Sequence, residues 1–310
     1  MRSSGQPAPG QLFTRIRAAS AEALAAGALV PIATEGEVLT EGGVDFQVRV
    51  ASGLRRKDAQ TRAALLTSGG PAARRERADP FLPYDEALYV ADIGPDHVGL
   101  LNKFNVLDHH LLVVTRDFED QRELLTASDL AALCLCLRDV DGLGFYNGGP
   151  EAGASQPHKH LQLVVLPVAD SGPRIPVEPA LARAPITDGI TVSPALQFAH
   201  GLSRLEPGTL DSGDDPQGVA RRLHGRYLEL LAHVGLHVRA GDRWQPGPYN
   251  LLLTRRWMLL VPRVAEHFEG VSLNGLAFAG SLFVRDRAQL SLLHAAGPMR
   301  ALGVVTGSTR

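Results

Sequence analysis

The chain contains 310 residues, of which 45% are apolar and 21% are charged, the composition of an ordinary globular protein. This length allows one large domain or two modest ones. The formal net charge of −2 gives no electrostatic reason to expect binding to nucleic acid or to an acidic membrane surface. The apolar runs are far too short to span a bilayer, and the first ten residues contain no apolar signal core. We therefore expect a cytoplasmic protein.

The two cysteines give no indication of a disulfide or a metal site. Cys134 and Cys136 are separated by one residue on a predicted helix, so their side chains point in different directions. We expect small core residues rather than a disulfide or a shared metal site. This cysteine usage fits a reducing compartment.

The first elements follow from apolar periodicity. Residues 1–10 are expected to form a disordered tail, and residues 11–28 have the apolar spacing of a helix. Residues 44–50 alternate like a strand and are followed by a small basic cluster that includes Lys57. Spacing alone favours a solvated turn for that cluster. Residues 67–78, rich in glycine and arginine, are expected to form a loop.

Three strand-like runs come next, at residues 87–93, 98–104 and 110–116. Their connections are short, so an antiparallel meander is predicted. A helix over residues 128–140, with Ser128 as its N-cap, would cover one face of the sheet.

The stretch that carries the chemistry, residues 145–167, reads FYNGGPEAGASQPHKHLQLVVLP. His158, His160 and Gln162 alternate along a predicted strand and therefore project from one face. The glycine-rich segment before them can bring backbone N–H groups close to an anion. A phosphate cradle followed by a row of imidazoles indicates chemistry at phosphorus.

Each of these features also has an ordinary structural explanation. A strand histidine is often a half-buried polar residue, and a Gly-Gly-Pro sequence is often a turn. A zinc site would need three or four ligands, and no further ligand motif accompanies the two histidines. Together, however, the features favour a nucleophilic imidazole, which can attack phosphorus when one ring nitrogen is free and the other holds the proton. A phosphate leaving group needs neutralisation of charge more than it needs a proton.

The string HKHLQLVV resembles the histidine-triad signature in the version with glutamine at the third place, which is typical of the transferase branch that includes galactose-1-phosphate uridylyltransferase. The longer string GFYNGGPEAGASQPHKHLQ resembles the diadenosine tetraphosphate phosphorylases, also called ATP adenylyltransferases. Residues 79–93, 100–121 and 249–263 are similar to the same family. The resemblance covers roughly residues 50–300.

The expected fold is α+β and histidine-triad-like, with a largely antiparallel sheet, flanking helices and a C-terminal extension that completes the nucleotide pocket. A parallel doubly wound sheet is disfavoured because the strands between residues 87 and 116 follow one another without helices. We predict a catalytic domain at 11–170, a Pro-rich linker or arm at 171–195 and an ATP adenylyltransferase domain at 196–310. That last domain should contain two helical pieces within 196–235, a hairpin within 249–263 and a closing helix.

The resemblance implies reversible phosphorolysis of diadenosine tetraphosphate with inorganic phosphate to ATP and ADP. It makes His160 the nucleophile that carries AMP covalently, while Gln162 holds the transferred phosphoryl oxygens. One histidine of the adjacent pair His109 and His110 would join them, and the sequence does not decide which. The other candidate substrate-binding residues are Lys57, Pro80, Phe81, Asn105, Asn147, Gly153, Ala154, Ser155, Gln156, His158, Asn250, Thr254, Met258 and Arg263.

A divalent cation, Mg²⁺, would be carried by the nucleotide, with no tightly bound metal. The expected partners are dinucleoside polyphosphates, ATP, ADP and phosphate, and the sequence leaves the oligomeric state open. Three alternatives remain: a dinucleoside polyphosphate hydrolase of the same fold, a hexose-1-phosphate uridylyltransferase and a non-catalytic nucleotide-binding protein. Gln162 in the third place argues against the hydrolase.

Overall fold

The computed structural model describes residues 5–51, 79–210 and 216–308. Lys57 and the predicted loop at 67–78 lie outside the described residues. Within the described ranges the chain is α+β, with a nine-stranded sheet, a three-stranded sheet and a two-stranded ribbon. None of the helices found there has the length and apolar character needed to cross a membrane.

The element bounds are as follows. The strands, in chain order, are β1 (Glu35–Glu41), β2 (Val44–Val50), β3 (Tyr89–Ile93), β4 (His97–Leu101), β5 (Leu111–Thr115), β6 (Gly142–Gly148), β7 (His160–Val165), β8 (Ile190–Thr191), β9 (Gly201–Arg204), β10 (Tyr249–Leu253), β11 (Trp257–Pro262), β12 (His267–Phe268), β13 (Val271–Ser272) and β14 (Ser281–Val284). The helices are α1 (Leu12–Ala25), α2 (Ala127–Asp139), α3 (Glu178–Leu181), α4 (Pro216–His233), α5 (Gly275–Phe278), α6 (Arg287–Ala296) and α7 (Pro298–Val305). Two short 3₁₀ turns lie at Glu86–Leu88 and Pro150–Ala152.

The large sheet has the order β3-β4-β5-β7-β6-β10-β11-β9-β8, and its neighbouring strands are antiparallel throughout. The predicted meander is present as β3, β4 and β5. The histidine strand β7 lies in the interior of the sheet, between β5 and β6. On the other side of β6 lies β10, so the first and last parts of the chain meet next to the histidines.

Helices cover one face of the large sheet. α1, α2 and α4 pack there over a core that includes Tyr146, Leu161 and Leu163. α4 is the second of the two helical pieces predicted within 196–235, and its apolar stripe is buried in this core. Helix α2 begins two residues earlier than a cap at Ser128 would place it, because Thr126 caps it in a capping box with Asp129.

The opposite face is covered by the end of the chain. Phe145, Val164 and Leu252 pack there against β14 and helices α5, α6 and α7. The segment 171–195 also contributes buried residues to this core, among them Ile175 and Val177. That proline-rich segment therefore wraps along the molecule and does not extend away from it.

Several elements differ from the sequence prediction. Residues 142–148 form the strand β6, where a glycine-rich loop was predicted from residue 145 onward. The expected first helical piece within 196–235 is wrong, because residues 201–204 form β9, which pairs with β11. The described part of the predicted tail is held in place: Gly5 N donates to Tyr89 Oη, and Arg15 Nη1 donates to Gly5 O.

Candidate active site

His160 is the first residue of β7 and is 4% exposed. Its Nδ1 lies 2.8 Å from the carbonyl oxygen of His158, which can only accept a hydrogen bond. Nδ1 therefore carries the proton, and the lone pair of the neutral ring lies on Nε2. This is the tautomer that a nucleophilic imidazole needs.

His158 has a different environment, although it lies only two residues away. Its Nδ1 is 2.6 Å from Oδ2 of Asp79, and its Nε2 is 2.9 Å from the carbonyl oxygen of Thr115 and 3.0 Å from Thr115 Oγ1. Both ring nitrogens are thus engaged by protein atoms, and the side chain is fully buried. His158 supports the site through its carbonyl group and does not act as a nucleophile. Asp79, the residue before the candidate Pro80, is thus paired with this imidazole.

Aromatic rings pack around the two histidines. The ring of Phe81 lies 5.7 Å from that of His158 and 5.5 Å from that of His160. Phe118, which is 53% exposed, lies 5.4 Å from the His158 ring. Pro80 is exposed beside them. Phe81 thus lies beside both histidines, and its contact with substrate remains a prediction, while Phe118 carried no signal in the sequence.

The structure decides between the two adjacent histidines. His110 is buried, and its Nε2 lies 3.0 Å from Oε1 of Gln162, on the face of His160. His109 adopts a left-handed backbone conformation with φ of 58°, and its Nδ1 lies 3.1 Å from Oγ of Ser20 in helix α1. His110 is therefore the histidine that joins the site.

A buried ion cluster lies behind the histidine strand. The Nζ of Lys159, a fully buried residue, lies 2.5 Å from Glu119 Oε2 and 3.4 Å from Asp129 Oδ2. Asp129 also accepts a hydrogen bond from His97 at 2.8 Å. Burial acts to raise the pKa of Asp129, but the bond from His97 and the charge of Lys159 outweigh it and lower that pKa. Sequence reasoning missed Lys159, because a lysine in an alternating strand usually faces solvent.

The loop between β6 and β7 offers fewer backbone N–H groups for binding an anion than the sequence indicated. The N–H groups of Ala152 and Ala154 donate to the carbonyl oxygen of Gly149, and that of Gly153 donates to Pro150 O. Those donors are therefore used within the loop. Ser155 is exposed and Gln156 half-buried, and in the described part of the chain no acceptor faces the N–H groups of either residue. These two are the groups that remain for a phosphate.

Three further candidates form a buried network that connects the two parts of the chain. Oδ1 of Asn147 accepts from Asn250 Nδ2 at 2.8 Å and from Gly275 N at 2.9 Å. Asn250 Oδ1 in turn accepts from Arg263 Nη1 at 2.6 Å. Burial lowers the pKa of Arg263 to about 10. These contacts explain why all three side chains are polar and buried, and contact with substrate remains a prediction for them.

Two C-terminal candidates are placed away from the histidines. Met258 pairs with Leu253 and packs in the core beneath the helices, on the face opposite to Gln162, so its contact with substrate stays a prediction that this placement does not support. Oγ1 of Thr254 accepts from the backbone N–H groups of Arg256 and Trp257 and shapes the β10–β11 turn.

Asn105 is buried and donates to Leu107 O, and its Oδ1 has no partner among the described residues.

Comparison with known proteins identifies the family. A family model described as the Ap4A phosphorylase N-terminal domain matches residues 2–183, and one described as the ATP adenylyltransferase C-terminal domain matches residues 194–307. Diadenosine 5',5'''-P1,P4-tetraphosphate phosphorylase 2 of Saccharomyces cerevisiae is 33% identical over 269 residues, which are 74% of this chain and 76% of that protein. The chain belongs to the Ap4A phosphorylase family. It is an enzyme, as the sequence predicted.

Solved structures agree with this assignment. The crystal structure of yeast Ap4A phosphorylase Apa2 matches with a TM-score of 0.73 and 26% identity, over 94% of this chain and 92% of that one. The same yeast protein in complex with Ap4A matches with a TM-score of 0.70 and 25% identity, over 94% and 95% of the two chains. The predicted α+β fold with its largely antiparallel sheet is confirmed.

Proposed function

We propose that this member of the Ap4A phosphorylase family converts diadenosine tetraphosphate and inorganic phosphate into ATP and ADP, with AMP bound covalently to His160 in between. The observation that carries the proposal is the hydrogen bond from His160 Nδ1 to His158 O, which puts the lone pair on Nε2. Family membership and the Ap4A complex of the yeast relative support the choice of substrate.

In the first step Nε2 of His160 attacks the α-phosphorus. A P–N bond forms, the bond from that phosphorus to the bridging oxygen breaks, and ATP leaves with that oxygen and its electron pair. Oε1 of Gln162 is engaged by His110, so its amide N–H groups are the donors that can reach the phosphoryl oxygens. These donors stabilise the negative charge that develops there in the transition state.

In the second step an oxygen of inorganic phosphate attacks the phosphorus of the adduct. A P–O bond forms, the P–N bond breaks, ADP leaves, and the electron pair returns to Nε2 of His160. The N–H groups of Ser155 and Gln156 would hold the entering anion, and Lys57 would add a positive charge, as the family resemblance implies. Water competes poorly as the acceptor when a bound phosphate occupies the line of attack.

Mg²⁺ would enter with the nucleotide. The ranges described here contain no group of three or more His, Cys, Asp or Glu side chains that could hold a metal ion. Polyphosphate oxygens commonly carry Mg²⁺, and an ion bound in this way would neutralise charge on the leaving phosphate.

The proposal is tested by incubating the protein with Ap4A and Mg²⁺, with and without inorganic phosphate, and resolving the products. We expect ATP and ADP only in the tube that contains phosphate. ATP and AMP in the tube without phosphate would instead identify a hydrolase. If neither tube reacts, UDP-glucose is the next donor to try, since a hexose-1-phosphate uridylyltransferase would use it.

A labelling experiment tests the covalent step. [α-³²P]ATP should label the wild-type protein in an acid-labile bond, and His160→Ala should take up no label while remaining folded. His109→Asn is the matched control, because this histidine lies on the helix side and should leave labelling unchanged. A protein that binds Ap4A without ever becoming labelled would be a nucleotide-binding protein and not a transferase.

A further inference from the structure

The ladder between β6 and β7 ends at the pair of Phe145 and Gln162, just before the nucleophile. In a continued register Asn147 would pair with His160. The side chain of Gln121 lies between these two residues instead. Its Oε1 accepts from His160 N at 2.8 Å, and its Nε2 donates to Asn147 O at 2.8 Å and to His160 O at 3.2 Å. One carboxamide thus satisfies three backbone groups that the missing ladder leaves unpaired.

Gln121 is itself firmly held and only 1% exposed. Its N–H donates to Pro157 O at 2.7 Å, and its carbonyl oxygen accepts from the hydroxyl group of Tyr146. Burial raises the pKa of Tyr146 well above its ordinary value, so this hydroxyl stays a donor. The preceding residue, Asp120, forms a β-bridge with His158. The side chain of Gln121 is therefore fixed from both ends.

We propose that Gln121 is a positioning residue for nucleotidyl transfer, which sets the backbone of His160 and through it the imidazole. The inference rests on the proposed role of His160 as the nucleophile. The carboxamide imitates a peptide group of a neighbouring strand, because it bonds both the N–H and the C=O of His160. It also keeps the ends of β6 and β7 apart, at the point where the anion-binding loop leaves β6 and the nucleophile begins β7.

This position matters because the bond from His160 Nδ1 to His158 O runs between residues of the same short segment. If the peptide groups of His160 move, the imidazole loses its alignment with His158 O and with the substrate phosphorus. A displacement of about 1 Å at a reacting atom can cost about 100-fold in rate. Substrate affinity should be less sensitive, since Gln121 is buried and its carboxamide is used by backbone groups.

The test compares three variants by the rate of AMP–His160 formation at saturating Ap4A and by KM. Gln121→Met keeps the length of the side chain and removes all three bonds, so we expect a rate loss of about 100-fold with little change in KM. Gln47→Met is the matched control, because Gln47 is a buried glutamine in the separate three-stranded sheet. Its amide nitrogen has no hydrogen-bond partner among the described residues, so this exchange should leave transfer unchanged. The proposal would be overturned if the loss of rate in Gln121→Met is fully explained by a smaller folded fraction. It would also be overturned if Gln121→Met and Gln47→Met lose rate equally.

Gln121→Glu keeps the inference testable if the methionine variant does not fold. The glutamate retains the acceptor for His160 N, but its second oxygen faces the carbonyl oxygens of Asn147 and His160. Its rate relative to the wild type should be low at neutral pH and should rise as the pH is lowered, because protonation restores a donor. A ratio near one at every pH would contradict the assigned role.

The ring nitrogen shifts of ¹⁵N-labelled histidine separate this inference from the proposed function, because they need no nucleotide. In the wild type His160 should show the Nδ1-protonated tautomer, and Gln121→Met should shift it towards a mixture of tautomers. An unchanged tautomer in Gln121→Met would count against Gln121 even if the wild type transfers AMP. Absence of any AMP adduct in the wild type would instead remove the proposed function and leave the tautomer result to stand alone.

Discussion

Nε2 of His110 lies 3.0 Å from Oε1 of Gln162, and Nδ1 of the same ring lies 3.2 Å from Nδ2 of Asn102. The amide of Asn102 donates to Nδ1, so the ring proton lies on Nε2 and is donated to Gln162. This chain of two hydrogen bonds fixes the orientation of the Gln162 amide and leaves its N–H groups for the proposed contact with substrate. A free amide could turn its oxygen towards the phosphoryl group, where it would repel the transferred charge.

Replacing His110 with phenylalanine should therefore slow transfer while the fold is kept. Phenylalanine removes the bonds to both Asn102 and Gln162. The loss of the buried bond to Gln162 alone costs about 1–3 kcal/mol, which corresponds to about 5- to 150-fold in rate if it is felt in the transition state. We expect kcat to fall with a smaller change in KM, as measured by steady-state kinetics with Ap4A and phosphate. His109→Asn is the control, since asparagine tolerates the left-handed backbone at that position. Equal losses in both variants would show that the adjacent histidines act only on the fold.

Removing the buried lysine should destabilise the protein strongly. Lys159→Met leaves the carboxylates of Glu119 and Asp129 without their cation, and breaking a buried pair in this way costs about 3–5 kcal/mol. Urea unfolding gives the difference in the free energy of unfolding. Lys103→Met, at an exposed lysine, should change that free energy by less than about 0.5 kcal/mol. A loss for Lys159→Met as small as this would mean that the ion cluster contributes little.

The lowered pKa of Asp129 predicts a specific acid response. In the unfolded chain this carboxyl takes up its proton near its ordinary pKa of 3.8, whereas the folded protein keeps it ionised to lower pH. The stabilisation is thus fully present above 3.8 and is lost as the pH falls through the folded pKa. Asp129→Asn should be less stable at neutral pH and show a shallower fall of unfolding free energy in acid. Parallel curves for the two proteins in urea titrations at successive pH values would contradict this.

A glycine exchange tests the loop between β6 and β7. A Cβ on Gly153 would lie 2.8 Å from Cβ of Asn274, and its φ of 88° is one that other residues rarely adopt. Gly153→Ala should therefore shift the loop and raise KM for phosphate. Gly208→Ala is a matched control, with a φ of 81° but no neighbour within 4 Å of the added carbon. If both alanine variants bind phosphate equally well, the close contact with Asn274 has no role in the site.

The sequence predicted those elements whose apolar pattern is strong, among them α1, α2, the stripe of α4 and the meander. It failed at β6 because its glycines were taken as signs of a loop. A Cβ on Gly144 would lie 2.8 Å from Leu133 in α2, so this glycine marks the close approach of a helix to the sheet. That contact depends on tertiary packing, which cannot be predicted from local composition.

Some residues of the site could likewise be predicted from the sequence, and others could not. His160, His158 and Gln162 share a short motif, so their face follows from alternation alone. Asp79 meets His158 across 79 positions of sequence, and Gln121 meets His160 across 39. Neither belongs to any periodic pattern. Met258 shows a different limit: the hairpin was predicted, but the sheet face that a strand residue occupies follows from the strand register, which the sequence left open.

The neighbour relation of β6 and β10 has a consequence for biosynthesis. A ribosome finishes β7, with its whole histidine motif, well before it makes residues 249–253. Until then the nascent chain presents β6 as a bare edge of unpaired N–H and C=O groups, with Phe145 and Val164 not yet covered by the last helices. The histidine motif is thus synthesised early, whereas the strand and helices that cover β6 and its apolar face are synthesised late. Chaperones that hold exposed strands would be most needed in that interval.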